Sequence, residues 1–263
     1  AIEDKKEPLR QRLGRLLRGD ALEWEDRSCG GNRYRYIVWH GPVERLPWNR
    51  LALLCPRPRS PVLLPPEVLA PEGCPLRDYR PQDFTARLTV AAARQAMEQT
   101  AGKGSGLLGL LDPQGIAPWA CGEWLDCCRG VKVYPLRRSR YAAAETMLRV
   151  EYGLPLLWAE TPAELEDCSI CAAPYPTGVI RVRRPIITAD RSGIQGNPTV
   201  NRLTLALTPE QLAEVPPGAE PTAFWGMVTE CGTRRVKLPL TLGGCRIDGR
   251  LAEFTELGKL MRT

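Results

Sequence analysis

From residue 106 to residue 174, short runs of consecutive apolar residues alternate with longer stretches of helical period. The runs "GLLGLLD" (106–112), "GVKVYP" (130–135), "LPLLWAE" (154–160) and "SICAAP" (169–174) have the length and continuity of strands buried on both faces. Between them, "APWACGEWLDCC" (117–128) and "SRYAAAETMLRVEYG" (139–153) read as helices, the second closed by Gly153. "TPAELEDC" (161–168) carries a helix start: Thr161 at the cap, Pro162 at the first position and Glu164 at the third. Such alternation predicts an α/β fold, a parallel sheet with helices on both faces.

The pattern differs on either side of this stretch. In "PLRQRLGRLLR" (8–18), Leu9, Leu13, Leu16 and Leu17 share a helical face and the arginines take the others. Such a helix either docks on its own core or lies on an acidic surface, and the first is the commoner case. "YRYIVW", "RLALLCP" and "PVLLPP", between Tyr34 and Pro66, read as strands cut by Gly and Pro. "RPQDFTARLTVAAARQAMEQT" then reads as a helix with Asp83 as its N-cap. These segments predict a smaller α+β N-terminal unit over 1–101, with the α/β domain over 102–263. Beyond Pro174, "GVIRVRRPIITAD" predicts one or two strands and "LTPEQLAEVPPGAEPTAFWGMVTEC" two helices. "VKLPLTLGG" and "CRIDGRL" predict a terminal hairpin.

Composition narrows the class. With 43% hydrophobic and 25% charged residues, the 263-residue chain has the balance of a globular protein with a proper core. No run approaches the roughly 20 apolar residues of a membrane span, and no apolar signal core opens the sequence, so a cytoplasmic location is expected. Ten cysteines in a chain of this size, several inside apolar runs, are expected to be reduced and packed as small hydrophobes. The net charge of +6 permits an anionic ligand or nucleic acid without requiring either.

The stretch "GKGSGLLGLLDPQG" (102–115) looks at first like a phosphate loop. A dinucleotide turn places its glycines after the first strand, where the chain enters a helix. Gly102, Gly104 and Gly106 stand before the strand, and Lys103 is followed by Gly104, not by a P-loop Ser or Thr. The segment therefore reads as a connector. After the strand comes Asp112, whose charge opposes a pyrophosphate at that place.

"YPLRRSR" (134–140) follows the second strand, at the edge where a nucleotide-binding sheet meets the adenosine ribose. Arg137, Arg138, Ser139 and Arg140 there resemble a 2′-phosphate cluster, and residues 104–175 as a whole resemble an NAD(P)-binding Rossmann domain without its glycine fingerprint. The resemblance implies a Rossmann-like sheet and NADP as the cofactor to test. The plainer alternative is a solvated basic loop.

Other chemistry is sparse. Cys168 and Cys171 have CxxC spacing, but Cys168 ends a predicted helix and Cys171 lies inside a strand, which favours packing over redox or metal work. His40 is the only histidine, so multi-histidine metal sites are excluded and no metal site is expected. Asp112 and Glu160 fall at the carboxyl ends of predicted strands, where open α/β sheets hold ligands or simply cap helices.

The sequence thus predicts a ligand edge formed by Asp112, Arg137, Arg138, Ser139, Glu160 and Pro174. Its leading reading is a Rossmann-like domain that binds a small ligand or a protein partner without catalysis. One alternative is an NADP-dependent oxidoreductase with an unusual phosphate turn. Another, less favoured, is a basic nucleic-acid-binding protein using the N-terminal helix with Arg181, Arg183 and Arg184.

Overall fold

A computed structural model of the chain describes residues 22–256 apart from 56–59, 66–67, 101–105, 176–177, 190–192, 235 and 237. The basic helix expected over 8–18 and residues 102–105 of the glycine connector lie outside the described residues. The chain begins with strands β1 (Leu22–Cys29) and β2 (Asn32–Trp39), helix α1 (Trp48–Leu54), and short strands β3 (Pro61–Val62) and β4 (Arg77–Asp78). Next come α2 (Gln82–Thr100), β5 (Leu107–Leu111), β6 (Gly130–Tyr134), α3 (Ala142–Glu151), β7 (Leu156–Trp158) and β8 (Ile170–Ala173). Strands β9 (Ile180–Arg181), β10 (Ile186–Thr188), β11 (Ile194–Gln195) and β12 (Thr199–Leu205) follow. The chain closes with α4 (Pro209–Ala213), α5 (Pro221–Cys231), β13 (Leu242–Ile247) and β14 (Arg250–Glu253).

Contacts gather these elements into two compact units: residues up to Pro81 with Leu207–Leu238, and Gln82–Ala206 with the residues from Pro239 on. This grouping differs from a division at 101/102. Helix α2 goes with the sheet because Leu88, Ala92, Ala93, Ala96 and Met97 are buried and the helix packs over β8, β10 and β12.

The first unit is built on the β1–β2 hairpin, whose register runs from Leu22↔Trp39 to Cys29↔Asn32. Its two-residue turn is Gly30-Gly31, at φ 55° and 76°, the positive values that a tight hairpin turn demands. Phe224 of α5 stands edge-on to Tyr34 of β2, with ring centroids 5.4 Å apart. Asn32 clamps the backbone of Arg234, donating to its carbonyl at 2.9 Å and accepting from its N–H at 2.8 Å. "RLALLCP" was expected as a strand and forms α1 instead. Leu and Ala are strong helix formers, and Pro56 marks where the helix must already have ended.

The second unit carries an eight-stranded sheet in the order β14-β13-β12-β10-β8-β5-β6-β7, with helices on both sides. From β12 to β7 every described pairing is parallel. The first strand, β5, is central; β6 and β7 step away on one side and β8, β10 and β12 on the other. That is the doubly wound Rossmann order, with the switch point between β5 and β8. A terminal hairpin extends the sheet antiparallel, but not with the expected strands: β13 begins only at Leu242, and the turn falls inside "CRIDGRL", at Asp248 (φ 47°) and Gly249 (φ 82°).

All five residues of β5 are buried, as a strand covered on both faces requires. β5 and β8 approach closely at Gly109, where a Cβ would stand 2.6 Å from Cys171 Sγ. Segment 117–128, expected as an α-helix, forms a 3-10 helix over Pro118–Trp124. Gly122 weakens an α-helix there, and Trp124 is fully buried with its Nε1 donating to Val90 O at 3.0 Å, so tertiary anchoring sets the local path. Segment 162–167 is likewise a 3-10 helix, and it keeps the expected Thr161–Glu164 capping box. Helix α3 ends as the sequence predicts, with Gly153 at φ 65°.

Candidate functional site

In a doubly wound sheet, ligands bind outside the carboxyl ends of the strands at the switch point. Here that edge is formed by the segments after β5, β6, β7 and β8. Asp112 follows β5 and is completely buried. Its Oδ1 accepts from Ile116 N–H at 3.1 Å, and its Oδ2 accepts from Ala117 N–H at 2.7 Å and from the Tyr141 hydroxyl at 2.5 Å. The turn is completed by Gly115, whose N–H donates to Asp112 O at 3.0 Å and whose φ is 66°.

These amides belong to the turn that, in a dinucleotide domain, presents its N–H groups to the pyrophosphate. In this chain the carboxylate of Asp112 takes two of them. A short 3-10 helix follows the turn, not an α-helix pointing its first turn at the crevice. Burial, the charge of Asp112 and the hydrogen bond to it hold the Tyr141 hydroxyl well above its usual titration range.

A second carboxylate stands at the same edge. Tyr175, just beyond β8, donates its hydroxyl at 2.9 Å to Asp83 in the first turn of α2. Burial, then that hydrogen bond, push the Tyr175 hydroxyl up to about 12. Pro174, between β8 and Tyr175, is buried and offers no N–H.

The cations lie one strand away, past β6. Arg137, Arg138, Ser139 and Arg140 are all exposed, and 138–141 form a single 3-10 turn leading into α3. Arg138 is ion-paired with Glu160, and its guanidinium lies 5.4 Å from the centre of the Trp158 ring. Trp158 in turn stands edge-on to Tyr141 at 6.0 Å. Among the described residues neither Arg137 nor Arg140 forms an ion pair. Arg140 packs its Cβ and Cγ where a side chain on Gly115 would fall, 3.1 Å from that position.

Of the residues expected at the edge, the structure brings Arg138 together with Glu160 and sets Asp112 beneath the turn, below the surface. Ser139 lies beside Arg138 with its carbonyl accepting from Ala142 N–H. Tyr141, Trp158, Tyr175 and Asp83 complete the edge and were not foreseen as members. Asp83, read as a helix cap, and Gly115, inside the turn signal "DPQG", left a mark in the sequence, though neither as a member of this edge. Arg183 and Arg184 both reach the 162–167 turn: Arg183 lies 3.7 Å from a carboxylate oxygen of Glu166, and Arg184 donates to the Glu166 carbonyl.

Cys168 and Cys171 are both fully buried free thiols. A hydrogen bond with Cys168 and burial together hold the Cys171 thiol well above its ordinary range, opposite to the shift a reactive thiolate requires. No group of three His, Cys, Asp or Glu among the described residues could hold a metal ion. No helix among them is long and apolar enough to cross a membrane.

No protein-family profile and no curated protein sequence matches the chain. Among solved structures it is similar to a Δ(1)-pyrroline-2-carboxylate reductase of Thermococcus litoralis in complex with NADH and L-proline. The identity is 20% and the TM-score 0.30, over 40% of this chain and 36% of that one. It is also similar to the iminosuccinate reductase of Paracoccus denitrificans in complex with NAD+, at 19% identity and TM-score 0.28, over 40% and 35% of the two chains. A lysine cyclodeaminase matches at 14% identity and TM-score 0.29, over 64% of this chain and 53% of that one. The matched stretches thus span between about a third and about half of those proteins.

Proposed function

We propose that the Rossmann-like unit is a binding module for a small anionic ligand and that it no longer uses a dinucleotide pyrophosphate site. The observation that carries this reading is the pair of hydrogen bonds from Ile116 and Ala117 N–H to the buried Asp112 carboxylate. Those donors are already satisfied, and the carboxylates of Asp112 and Asp83 flank the switch point where a pyrophosphate would add further negative charge. The positive charge lies instead at the β6 end, on Arg137 and Arg140, beside the Arg138–Glu160 pair. A ligand held there would meet Arg side chains suited to phosphate or carboxylate groups.

A second reading, an NADP-dependent oxidoreductase, draws support from the strand order and from arginines at the end of the second parallel strand. Melting-temperature titrations separate the two, since a ligand that binds only the folded state raises the transition by mass action. The binding-module reading expects AMP to raise the transition, less so in Arg137→Ala/Arg140→Ala, with NADH and NADPH no better than AMP. Tight, saturable NADPH binding that discriminates against NADH and is lost in Arg137→Ala/Arg138→Ala would overturn it in favour of the oxidoreductase. No response to AMP or to either dinucleotide would discard both.

A further inference from the structure

The first unit holds a cavity of about 680 Å³, within the range of small-molecule sites. Its walls include Tyr34 and Trp39 of β2, Trp48 and Leu54 of α1, and Phe224 and Met227 of α5. All lining residues belong to this one unit, so the site shares no residue with the carboxyl edge of the sheet and does not depend on the reading given for it.

Several polar side chains around this cavity are engaged elsewhere. Trp39 Nε1 donates to Pro42 O at 3.0 Å, and the Tyr36 hydroxyl donates to Pro217 O at 3.1 Å. Asn32 is spent on Arg234. Arg35 grips Asp26 through two nitrogens at 2.7 and 3.0 Å, donates to Leu54 O at 2.8 Å and covers Trp24. No aspartate or glutamate is among the described lining residues. Arg33, the other cation, also lines an adjoining polar hollow, together with Asp26, Arg27 and Glu214. The described lining of the cavity is therefore mainly rings, methyl groups and a thioether, with no carboxylate among those residues.

An apolar wall of this kind gains dispersion contacts only from an occupant that fills it, and the flexible Met227 side chain can adapt to that occupant's shape. We propose that this cavity binds a neutral, predominantly apolar small molecule.

The test uses the full chain and the neutral fluorophore N-phenyl-1-naphthylamine, excited by energy transfer from tryptophan. The expected result is saturable one-to-one binding, little affected by salt, and displaced more strongly by decanol than by decanoate. Met227→Trp and Leu64→Trp each fill the cavity and are expected to weaken the probe on the order of tenfold while keeping a cooperative melt. If one variant fails to fold the other carries the comparison, and stoichiometry with displacement reads on the unaltered chain in any case. A linear, unsaturable signal overturns the proposal, as do equal affinity in both folded variants and stronger displacement by decanoate. Probe binding that falls as protein concentration rises, with a dimer by sedimentation, would instead make the face an interface between copies and also overturn it.

Discussion

Tyr141 and Asp112, 29 residues apart, meet through a 2.5 Å hydrogen bond with both side chains wholly excluded from solvent. This contact ties the turn after β5 to the start of α3, and it fixes the carboxylate that the turn amides bind. Removing the carboxylate in Asp112→Ala strands two backbone N–H groups and a phenol in a dry site. The expected cost is about 3 kcal/mol in denaturant unfolding. Asp112→Asn is expected to cost less, because an amide oxygen can still accept at the Oδ2 position while its NH2 faces Ile116 N–H donor to donor. Equal stability of Asp112→Ala and the parent chain would show that the carboxylate does not organise the turn.

The same contact gives the protein an alkaline limit. The Tyr141 hydroxyl is held above its ordinary value of 10.0 by burial and by the neighbouring carboxylate, so the folded state keeps a proton that the unfolded chain has lost at high pH. Its contribution is complete below pH 10 and declines as pH rises beyond that. The buried thiols Cys29 and Cys121, each pushed up to about 12 chiefly by burial, act in the same direction from pH 9 upward. Melting temperature should therefore fall above pH 9. Tyr141→Phe should be less stable at pH 7 by roughly 2 kcal/mol and fall less steeply above pH 10, so that the gap closes. Parallel pH profiles for the two chains would refute the assignment.

Gly115 makes the turn possible. At φ 66° a side chain is disfavoured, and a Cβ would lie 3.1 Å from the Arg140 Cβ and Cγ. Gly115→Ala should cost about 1–2 kcal/mol, and Gly153→Ala provides a control. Gly153 has nearly the same φ of 65° but open space around it, so it carries the backbone penalty without the contact. A larger loss at 115 than at 153 is the expected outcome; the reverse order would remove Arg140 from the packing of the turn.

The parts of the fold legible in the sequence were those with a local physical cause. Continuous apolar runs of strand length became β5, β6, β7 and β8, the Thr161–Glu164 box capped its turn, and the strand–helix alternation gave the parallel sheet. The two departures have different causes. Segment 50–56 is a short apolar stretch with no period that separates helix from strand, and its Leu and Ala favour the helix, whereas 117–128 was set by what it packs against, as the Trp124–Val90 bond illustrates. At the candidate site, the sequence could place Asp112, Arg138 and Glu160 at strand ends. It could not show that Asp112 faces inward, because the partner that turns it, Tyr141, is distant in sequence and belongs to a segment read only as the start of a helix.

The tight seam between β5 and β8 yields a prediction with its own internal control. Gly109 pairs with Cys171 in the parallel ladder, and a Cβ there would sit 2.6 Å from Cys171 Sγ and 3.2 Å from Cys168 Sγ. Both thiols are fully buried, so neither sulfur can swing to solvent. Gly109→Ala should cost about 1–3 kcal/mol through overpacking, even though alanine suits a strand better than glycine does. Cys171→Ala removes the nearer sulfur and leaves a small void, costing on the order of 1 kcal/mol by itself. Combined, the alanine methyl at 109 occupies space that Sγ vacates, so the double variant should be more stable than the sum of the single losses implies. A double-mutant cycle by denaturant unfolding measures that coupling, expected at about 1 kcal/mol or more. Strict additivity would mean that the two strands relax apart at Gly109, and that close approach there does not require glycine.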